Sequence, residues 1–206
     1  MVAVVTGGAP PAAQAGEARE DPGVTLEKFT HAGPGCPAGS ADAAIADDKR
    51  SFAITYDQFI VGRNLTPPRA EELNCTLRLH IKAPPRARFA LWKVWTHGLG
   101  RLSAGGKGAL RVSYFYTGSR MPEPIDYGSP VSSDGRDQLF SKEYTVPDSE
   151  LAWSECGVTR FLNVVTFLDV AQGADPNARA MLQLIGNDVV PGDPEPSGVE
   201  LRTKTC

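Results

Sequence analysis

The sequence predicts an all-β domain: an antiparallel, jelly-roll-like β-sandwich of about eight or nine short strands that holds two disulfides. Three observations predict it, namely short runs of alternating apolar and polar residues, turn-forming residues between those runs, and an even number of dispersed cysteines. The chain has 206 residues with 21 glycines and 17 prolines, which is typical of a domain with many turns. Only the segments 41–49 and 69–73 suit a helical turn.

The clearest predicted strand spans residues 75–81, where apolar and polar residues alternate strictly. The run 51–61 changes phase near Asp57, which predicts a β-bulge within one strand. The other predicted strands are 89–96, 110–116, 139–146, 163–170, 180–185 and 199–205, with a glycine-rich turn region at 98–108 and a loop at 121–137.

The chain divides into a lead-in, residues 1–22, and a single β-sandwich domain, residues 23–206. The lead-in is rich in Ala, Pro and Gly. It is predicted to be a flexible leader or a residual signal or pro-segment, because residues 13–15 resemble a signal-peptide cleavage site. Residues 2–5 are strand-like, but the glycine turn after them lacks the third glycine and the helix of a dinucleotide-binding fold.

Composition and cysteine spacing exclude several classes of protein. A formal net charge of −3 argues against nucleic-acid binding, and no apolar run approaches the length of a membrane-spanning helix. The cysteines are Cys36, Cys75, Cys156 and Cys206; they form no CxxC pair, and the three histidines lack metal-ligand spacing. The cysteines therefore predict two disulfides rather than a metal site, and with them a secreted, extracellular protein without a metal or cofactor.

The candidate catalytic and ion-binding patterns are weak. The glycine-rich stretch around Lys107 lacks the spacing and hydroxyl residue of a phosphate loop, and the aspartates within 42–48 lack the spacing of an EF-hand. A glycoside hydrolase needs two carboxyl groups in one cleft. The candidates for that pair are Glu123, Asp126, Glu150 and Glu155. None is assigned a catalytic role.

The aromatic residues supply the candidate ligand-binding set. Trp92 and Trp95 are three residues apart, so on a regular strand they face opposite sides of a sheet. Ala90 and Val94 share a face with Trp92, and these residues are typical of a buried face, so Trp92 is predicted to be the buried tryptophan. An exposed Trp95 beside His97 is then suited to stack on a sugar ring or pack on a partner, and Tyr116 completes the set. The alternative is that Trp95 is a rim residue covered by a loop.

Asn64 and Asn74 each begin an N-glycosylation sequon. The proline that follows the first sequon weakens it, and the second lies beside a cysteine. Both are glycosylation candidates only for a protein secreted by a eukaryote.

Eight motifs occur in a defined order along the chain, and four of them contain the cysteines. They span residues 21–25, 31–40, 52–59, 74–77, 89–102, 114–118, 153–157 and 203–206. In this order they resemble a secreted fungal and bacterial family, catalogued as domain of unknown function 4360. The resemblance implies a secreted β-sandwich-like domain and transfers no catalytic residues.

With that resemblance in hand, sequence order and short loops favour pairing Cys36 with Cys75 and Cys156 with Cys206. The cysteine count alone leaves two other pairings open. Each bridge would contribute about 3–4 kcal/mol in the chain-entropy model.

Three functional hypotheses follow. The leading one is a non-enzymatic extracellular protein that binds a glycan or protein ligand at a cell surface, cell wall or host. The second is a self-assembling structural or filament subunit in which the lead-in adds a strand to a neighbour's sheet edge. The third is a secreted carbohydrate-active hydrolase. No nucleic-acid partner and no membrane span are expected.

Overall fold

A computed structural model describes residues 23–171, 175–185 and 197–206 of the chain. These residues form twelve strands and a single-turn 3-10 helix, Asp148–Glu150. The strands are β1 (Thr25–Ala32), β2 (Ala41–Ile45), β3 (Ser51–Tyr56), β4 (Ile60–Arg63), β5 (Glu72–Lys82), β6 (Ala87–Leu102), β7 (Lys107–Tyr116), β8 (Ile125–Asp126), β9 (Gln138–Thr145), β10 (Thr159–Ala171), β11 (Ala180–Leu184) and β12 (Ser197–Thr205). Within the described ranges, no helix has the length and hydropathy needed to cross a bilayer. The lead-in, with its strand-like residues 2–5, lies outside them.

The strands form two antiparallel sheets around one core, which confirms the predicted β-sandwich class. The first sheet has the order β1-β5-β10-β7-β8, and the second has the order β2-β3-β12-β6-β11-β4, with β9 also paired to β6. Along one edge of β6, β12 pairs with its first part and β11 with its last residues. β9 pairs with residues 93–100 of β6, a stretch that also includes residues paired with β12 and with β11. Because one edge of those residues is already occupied, β9 lies along the opposite edge of β6. The strand number exceeds the expected eight or nine because the structure adds short strands: β2 and β8 pair with the nearby strands β3 and β7, and β4 pairs with the distant strand β11.

The alternation predicted for residues 75–81 is the inside–outside pattern of β5. Leu77 and Leu79 have no exposed surface, whereas Arg78 between them is exposed. The opposing residues on β10 repeat the pattern, because Val164 and Leu162, which pair with the two leucines, are also buried. Each inward position thus adds an apolar side chain to the shared core.

The glycine-rich region 98–108 is mostly strand rather than turn, so that prediction was wrong. β6 runs through Gly98 to Leu102, and the turn is confined to residues 103–106. At Gly98 a Cβ atom would overlap the ring of Phe140 and the carbonyl oxygen of Gln183. The glycine therefore permits β9 and β11 to pack closely against β6, which is a role in a strand and not in a turn.

Two further predictions need correction. Residues 51–61 are not one bulged strand: β3 ends at Tyr56, β4 begins at Ile60, and the two strands pair with different partners. The segment 41–49, expected to suit a helical turn, contains β2 instead. Pairing with β3 supplies the backbone hydrogen bonds of β2, and this tertiary contact outweighs the helix preference of its alanines.

Both disulfides have the expected pairing, Cys36–Cys75 and Cys156–Cys206. The first is fully buried and joins the turn after β1 to β5. The second is exposed and joins the segment before β10 to the residue after β12. The first bridge therefore lies at the first sheet, whereas the second connects the segment leading into β10 of the first sheet to the end of β12 of the second.

Candidate functional site

An open groove with a volume of about 780 Å³ lies on the outer face of the second sheet. We call it the Trp95 groove. Strands β3, β6, β9 and β12 and the turn between β2 and β3 supply its side chains. Its polar lining residues include Asp48, Ser51, Lys93, Ser141, Glu143 and Glu200. The groove therefore combines one tryptophan with hydrogen-bonding groups on several sides.

Trp95 lies in a row of outward-facing residues that crosses five strands. In register the row runs from Glu143 through Trp95, Gly198 and Ala53 to Ala44. A Cβ atom on residue 198 would lie 2.5 Å from Cζ2 of Trp95, so the indole extends over the glycine. The small side chain of Ala53 beyond it keeps the floor of the groove low.

The charged residues beside the indole come from three neighbouring strands. The Lys93 amino group lies 3.1 Å from a carboxylate oxygen of Glu143. Glu200 stands directly opposite Lys93 on β12. A ligand in the groove would thus meet one amino group and two carboxylates, which together donate and accept hydrogen bonds.

Asp48 adds a fixed acceptor at the rim. Its carboxylate accepts hydrogen bonds from the backbone N–H groups of Arg50 and Ser51 and from the Ser51 hydroxyl, at 2.7–2.9 Å. Burial alone would raise the pKa of Asp48, but these hydrogen bonds lower it below its usual value. The side chain is therefore a pre-oriented anion at neutral pH.

His97 lines the same groove and is largely buried. Its backbone N–H donates a hydrogen bond of 3.0 Å to the Ser197 hydroxyl, which anchors this part of β6 to β12. The structure thus brings Trp95 and His97 together. It does not bring Tyr116 to them, because Tyr116 lies between the two sheets.

Trp92 shares the outer face with Trp95, so the expected opposite orientation was wrong. The pairing of β6 with β12 shifts between Glu200 and Leu201, which leaves Trp92 as an extra residue on β6. This bulge reverses the inside–outside alternation between the two tryptophans. The Trp92 ring is half-buried, and the guanidinium carbon of Arg202 lies 4.5 Å from its centroid.

Trp153 completes this face. The segment that contains it runs beside β6, since the backbone N–H of Ser154 donates to the carbonyl oxygen of Phe89 at 2.8 Å. The Lys204 amino group lies 3.8 Å, and the Arg88 guanidinium carbon 5.5 Å, from the centroid of the Trp153 ring. All three tryptophans of the chain therefore lie on the outer face of the second sheet, which we call the tryptophan face.

A second cavity, of about 430 Å³, opens between the sheets beside β7 and β9. We call it the inter-sheet cleft. Its lining includes Leu91, Val112, Leu162, Tyr114, Tyr116 and Tyr144. Tyr116 is buried, and its hydroxyl accepts a hydrogen bond of 3.1 Å from the backbone N–H of Leu91. Packing in the core explains the position of Tyr116. Its role in ligand binding stays a prediction.

The interior on this side of the sandwich is rich in tyrosine. Burial raises the pKa of Tyr56, Tyr114, Tyr116 and Tyr127. The hydroxyls of Tyr114 and Tyr127 are close enough to affect each other's pKa, yet neither forms a well-aligned hydrogen bond. Tyr144 also lines the cleft, so every tyrosine of the chain faces the space between the sheets.

The carboxylates considered for hydrolysis are only partly brought together. Glu123 and Glu150 both line the inter-sheet cleft. Asp126 instead accepts a hydrogen bond of 2.7 Å from the backbone N–H of Gly128 within its own turn, and Glu155 is outside the cleft lining. The described parts of the chain contain no cluster of three His, Cys, Asp or Glu residues that could hold a metal ion.

The two sequon asparagines differ in their surroundings. The Asn64 side-chain amide donates hydrogen bonds to the carbonyl oxygens of Pro176 and Ala178, at 3.0 and 2.8 Å. A glycan on that nitrogen would have to displace both bonds. Asn74 is exposed on β5 and remains the more accessible predicted glycosylation site.

The model of one protein family, described as domain of unknown function DUF4360, matches residues 22–189. The chain belongs to the DUF4360 family. No curated protein matches this DUF4360 chain in sequence.

Solved structures similar to the DUF4360 domain share little sequence with it. TmCBM61, solved in complex with β-1,4-galactotriose, is 8% identical with a TM-score of 0.33, over 87% of this chain and 90% of that one. The enzymatically active domain of bacteriophage CBA120 tailspike protein 4 is 13% identical with a TM-score of 0.26, over 78% of this chain and 20% of that one. The likenesses are too distant to assign a function.

Sequence reasoning missed two determinants of the site. The bulge at Trp92 arises from pairing with a strand more than 100 residues away, and no local pattern marks it. Gly198 carried a weak signal, since a glycine within a strand indicates a close approach of another group. The identity of that group, the Trp95 indole, depends on the register of β6 and β12.

Proposed function

We propose that this DUF4360 domain is a non-enzymatic extracellular protein whose Trp95 groove binds carbohydrate at a cell surface or cell wall. The observation that carries the proposal is the Trp95 indole, which extends over Gly198 inside a groove edged by carboxylate, amino and hydroxyl groups. The two disulfides support an extracellular location, because such bridges persist in oxidising compartments.

The chemistry of the groove matches that of a sugar. A pyranose ring offers an apolar C–H face to an aromatic ring and surrounds it with hydroxyl groups that donate and accept hydrogen bonds. In the groove, Trp95 provides the aromatic surface, Asp48 and Glu143 accept, and Lys93 donates. Charge-assisted hydrogen bonds of this kind are stronger than neutral ones, so they would set ligand orientation.

A glycan array followed by titration calorimetry tests the proposal. We expect binding of at least one oligosaccharide, weakened at least tenfold by Trp95→Ala. Phe161→Ala is the matched control, because Phe161 is a half-buried aromatic residue on β10, in the other sheet, and contacts Arg78. Absence of binding across the array, or equal affinity for Trp95→Ala and the unaltered protein, would remove the proposal.

A hydrolase is a second candidate, favoured by the presence of Glu123 and Glu150 in one cleft. The assay is release of reducing ends from a polysaccharide panel. Turnover that is lost in both Glu123→Gln and Glu150→Gln would support this candidate. Turnover that survives either substitution, or no turnover at all, would eliminate the pair.

Self-assembly through the lead-in is the third candidate, and the residues it needs lie outside the described part of the chain. Size-exclusion chromatography of the chain with and without residues 1–22 tests it. If both forms elute with the same oligomeric state, strand donation by the lead-in is ruled out.

A further inference from the structure

At one end of the tryptophan face, two cations stand directly opposite each other. Arg88 on β6 and Lys204 on β12 are cross-strand partners in register. Both contact the ring of Trp153, with the Lys204 amino group 3.8 Å from its centroid. Like charges placed directly opposite on neighbouring strands repel each other, so this arrangement is unfavourable without an anion.

Neither cation has an acidic partner among the residues that the structure describes. The contrast with their neighbours is direct: the Arg202 guanidinium lies 2.6 Å from Asp148, and the Lys93 amino group lies 3.1 Å from Glu143. These two neighbouring cations are thus neutralised locally, while Arg88 and Lys204 are not.

The Arg88 side chain provides a second, independent observation. Its Nε atom is buried and has no hydrogen-bond acceptor in the described structure. A buried donor left without an acceptor is costly, and native proteins rarely leave one unexplained. An anion bound between the two side chains would offset this cost by neutralising both charges.

We propose that Arg88 and Lys204 bind an acidic group, a carboxylate or a sulfate, of a polysaccharide that extends along the tryptophan face to the Trp95 groove. The inference rests on the proposed carbohydrate binding and specifies its substrate class as an anionic glycan. Arg88 and Trp95 are seven positions apart on β6, a span of about 23 Å at the usual rise of a strand, so the ligand is an oligosaccharide rather than a single sugar. Trp92 lies between the two ends on the same face.

The test compares oligogalacturonate, a sulfated oligosaccharide and neutral galactan oligosaccharides by titration calorimetry. We expect Arg88→Gln/Lys204→Gln to weaken the acidic ligands about tenfold or more, to leave any neutral ligand unchanged, and to reduce the salt dependence of binding. The two acidic ligands distinguish a carboxylate from a sulfate. Arg88→Lys/Lys204→Arg keeps both charges and should retain most of the affinity. Arg78→Gln is the matched control, since Arg78 also lies over an aromatic ring, Phe161, in the other sheet.

The two proposals fail in different ways. Acidic ligands that bind Arg88→Gln/Lys204→Gln as tightly as the unaltered protein, while Trp95→Ala weakens them, would overturn the anion site and keep carbohydrate binding. Acidic ligands that lose affinity in the glutamine variant but not in Trp95→Ala would keep the anion site and overturn the role of the groove. Melting temperatures of all variants identify any loss of affinity that comes from unfolding.

Discussion

Cζ2 of Trp95 lies 2.5 Å from the point where a Cβ atom on Gly198 would stand. The two residues are direct neighbours on β6 and β12, so the indole occupies space that any other residue at position 198 would fill. The same Cβ would also lie 2.5 Å from the carbonyl oxygen of Phe52. One absent side chain therefore determines the shape of the groove.

Gly198→Ala should displace the indole and lower the free energy of unfolding by about 1–3 kcal/mol, the usual effect of overpacking. Combining it with Trp95→Ala should recover part of this loss, because one of the two overlaps disappears. Chemical denaturation of the two single variants and the double variant measures the coupling. Strictly additive effects would show that the indole does not lie over the glycine.

Gly98→Ala should be more damaging, because its Cβ would overlap both the Phe140 ring and a backbone oxygen inside the core. We expect a loss of about 3 kcal/mol or more, since neither β9 nor β11 can move away without breaking its pairing to β6. The measurement is the urea midpoint at constant m-value. Stability equal to that of the unaltered protein would mean that the two strands can separate freely here.

The two disulfides should respond differently to a reductant. Cys156 and Cys206 are exposed, whereas Cys36 and Cys75 have no exposed surface, so the first pair should be reduced and alkylated earlier under native conditions. Mass spectrometry of samples quenched over time follows the two pairs separately. Simultaneous loss of both bridges would show that reduction requires global unfolding.

Removing either bridge with paired serines should cost about 4 kcal/mol, as expected for loops of this length in the chain-entropy model. Replacing the buried pair should cost more, because it also places two hydroxyl groups in the core. Denaturation of the two double variants under identical conditions makes the comparison. A smaller cost for Cys36→Ser/Cys75→Ser would contradict this ranking.

Alkaline pH should destabilise the fold through its tyrosines. Burial raises the pKa of Tyr56, Tyr114 and Tyr116, so these groups keep their protons in the folded state, while in the unfolded chain they release them near pH 10. The folded state then binds more protons, and stability falls as the pH rises above about 10. Tyrosinate absorbance should rise in a late step that coincides with unfolding. Early, reversible ionisation of every tyrosine would contradict the burial of their hydroxyls.

Local patterns were sufficient to predict the class of fold and much of its interior. The alternation of apolar and polar residues within 75–81 can be read from neighbouring positions alone. These residues form part of β5, and the leucines among them lie in the core. The pairing Cys36–Cys75 also followed from order along the chain.

Features set by pairing between distant strands were not predictable in the same way. The full length of β6 depends on β9, β11 and β12, each of which begins more than 30 residues after it ends. Trp95, expected to be exposed, is partly exposed on its strand, whereas the outward position of Trp92 required the bulge against β12. Tyr116 was considered as a ligand-binding residue, yet it is in phase with Leu110 and Val112 and lies inside with them, because β7 presents that face to the core.

The two kinds of large aromatic side chain occupy separate compartments of the molecule. Every tryptophan lies on the outer face of the second sheet, and every tyrosine faces the space between the sheets. The indole emission of the unlabelled protein is therefore an intrinsic optical probe of the proposed binding face. The tyrosine signal reports separately on the integrity of the interior, so one spectrometer can distinguish ligand binding from loosening of the core.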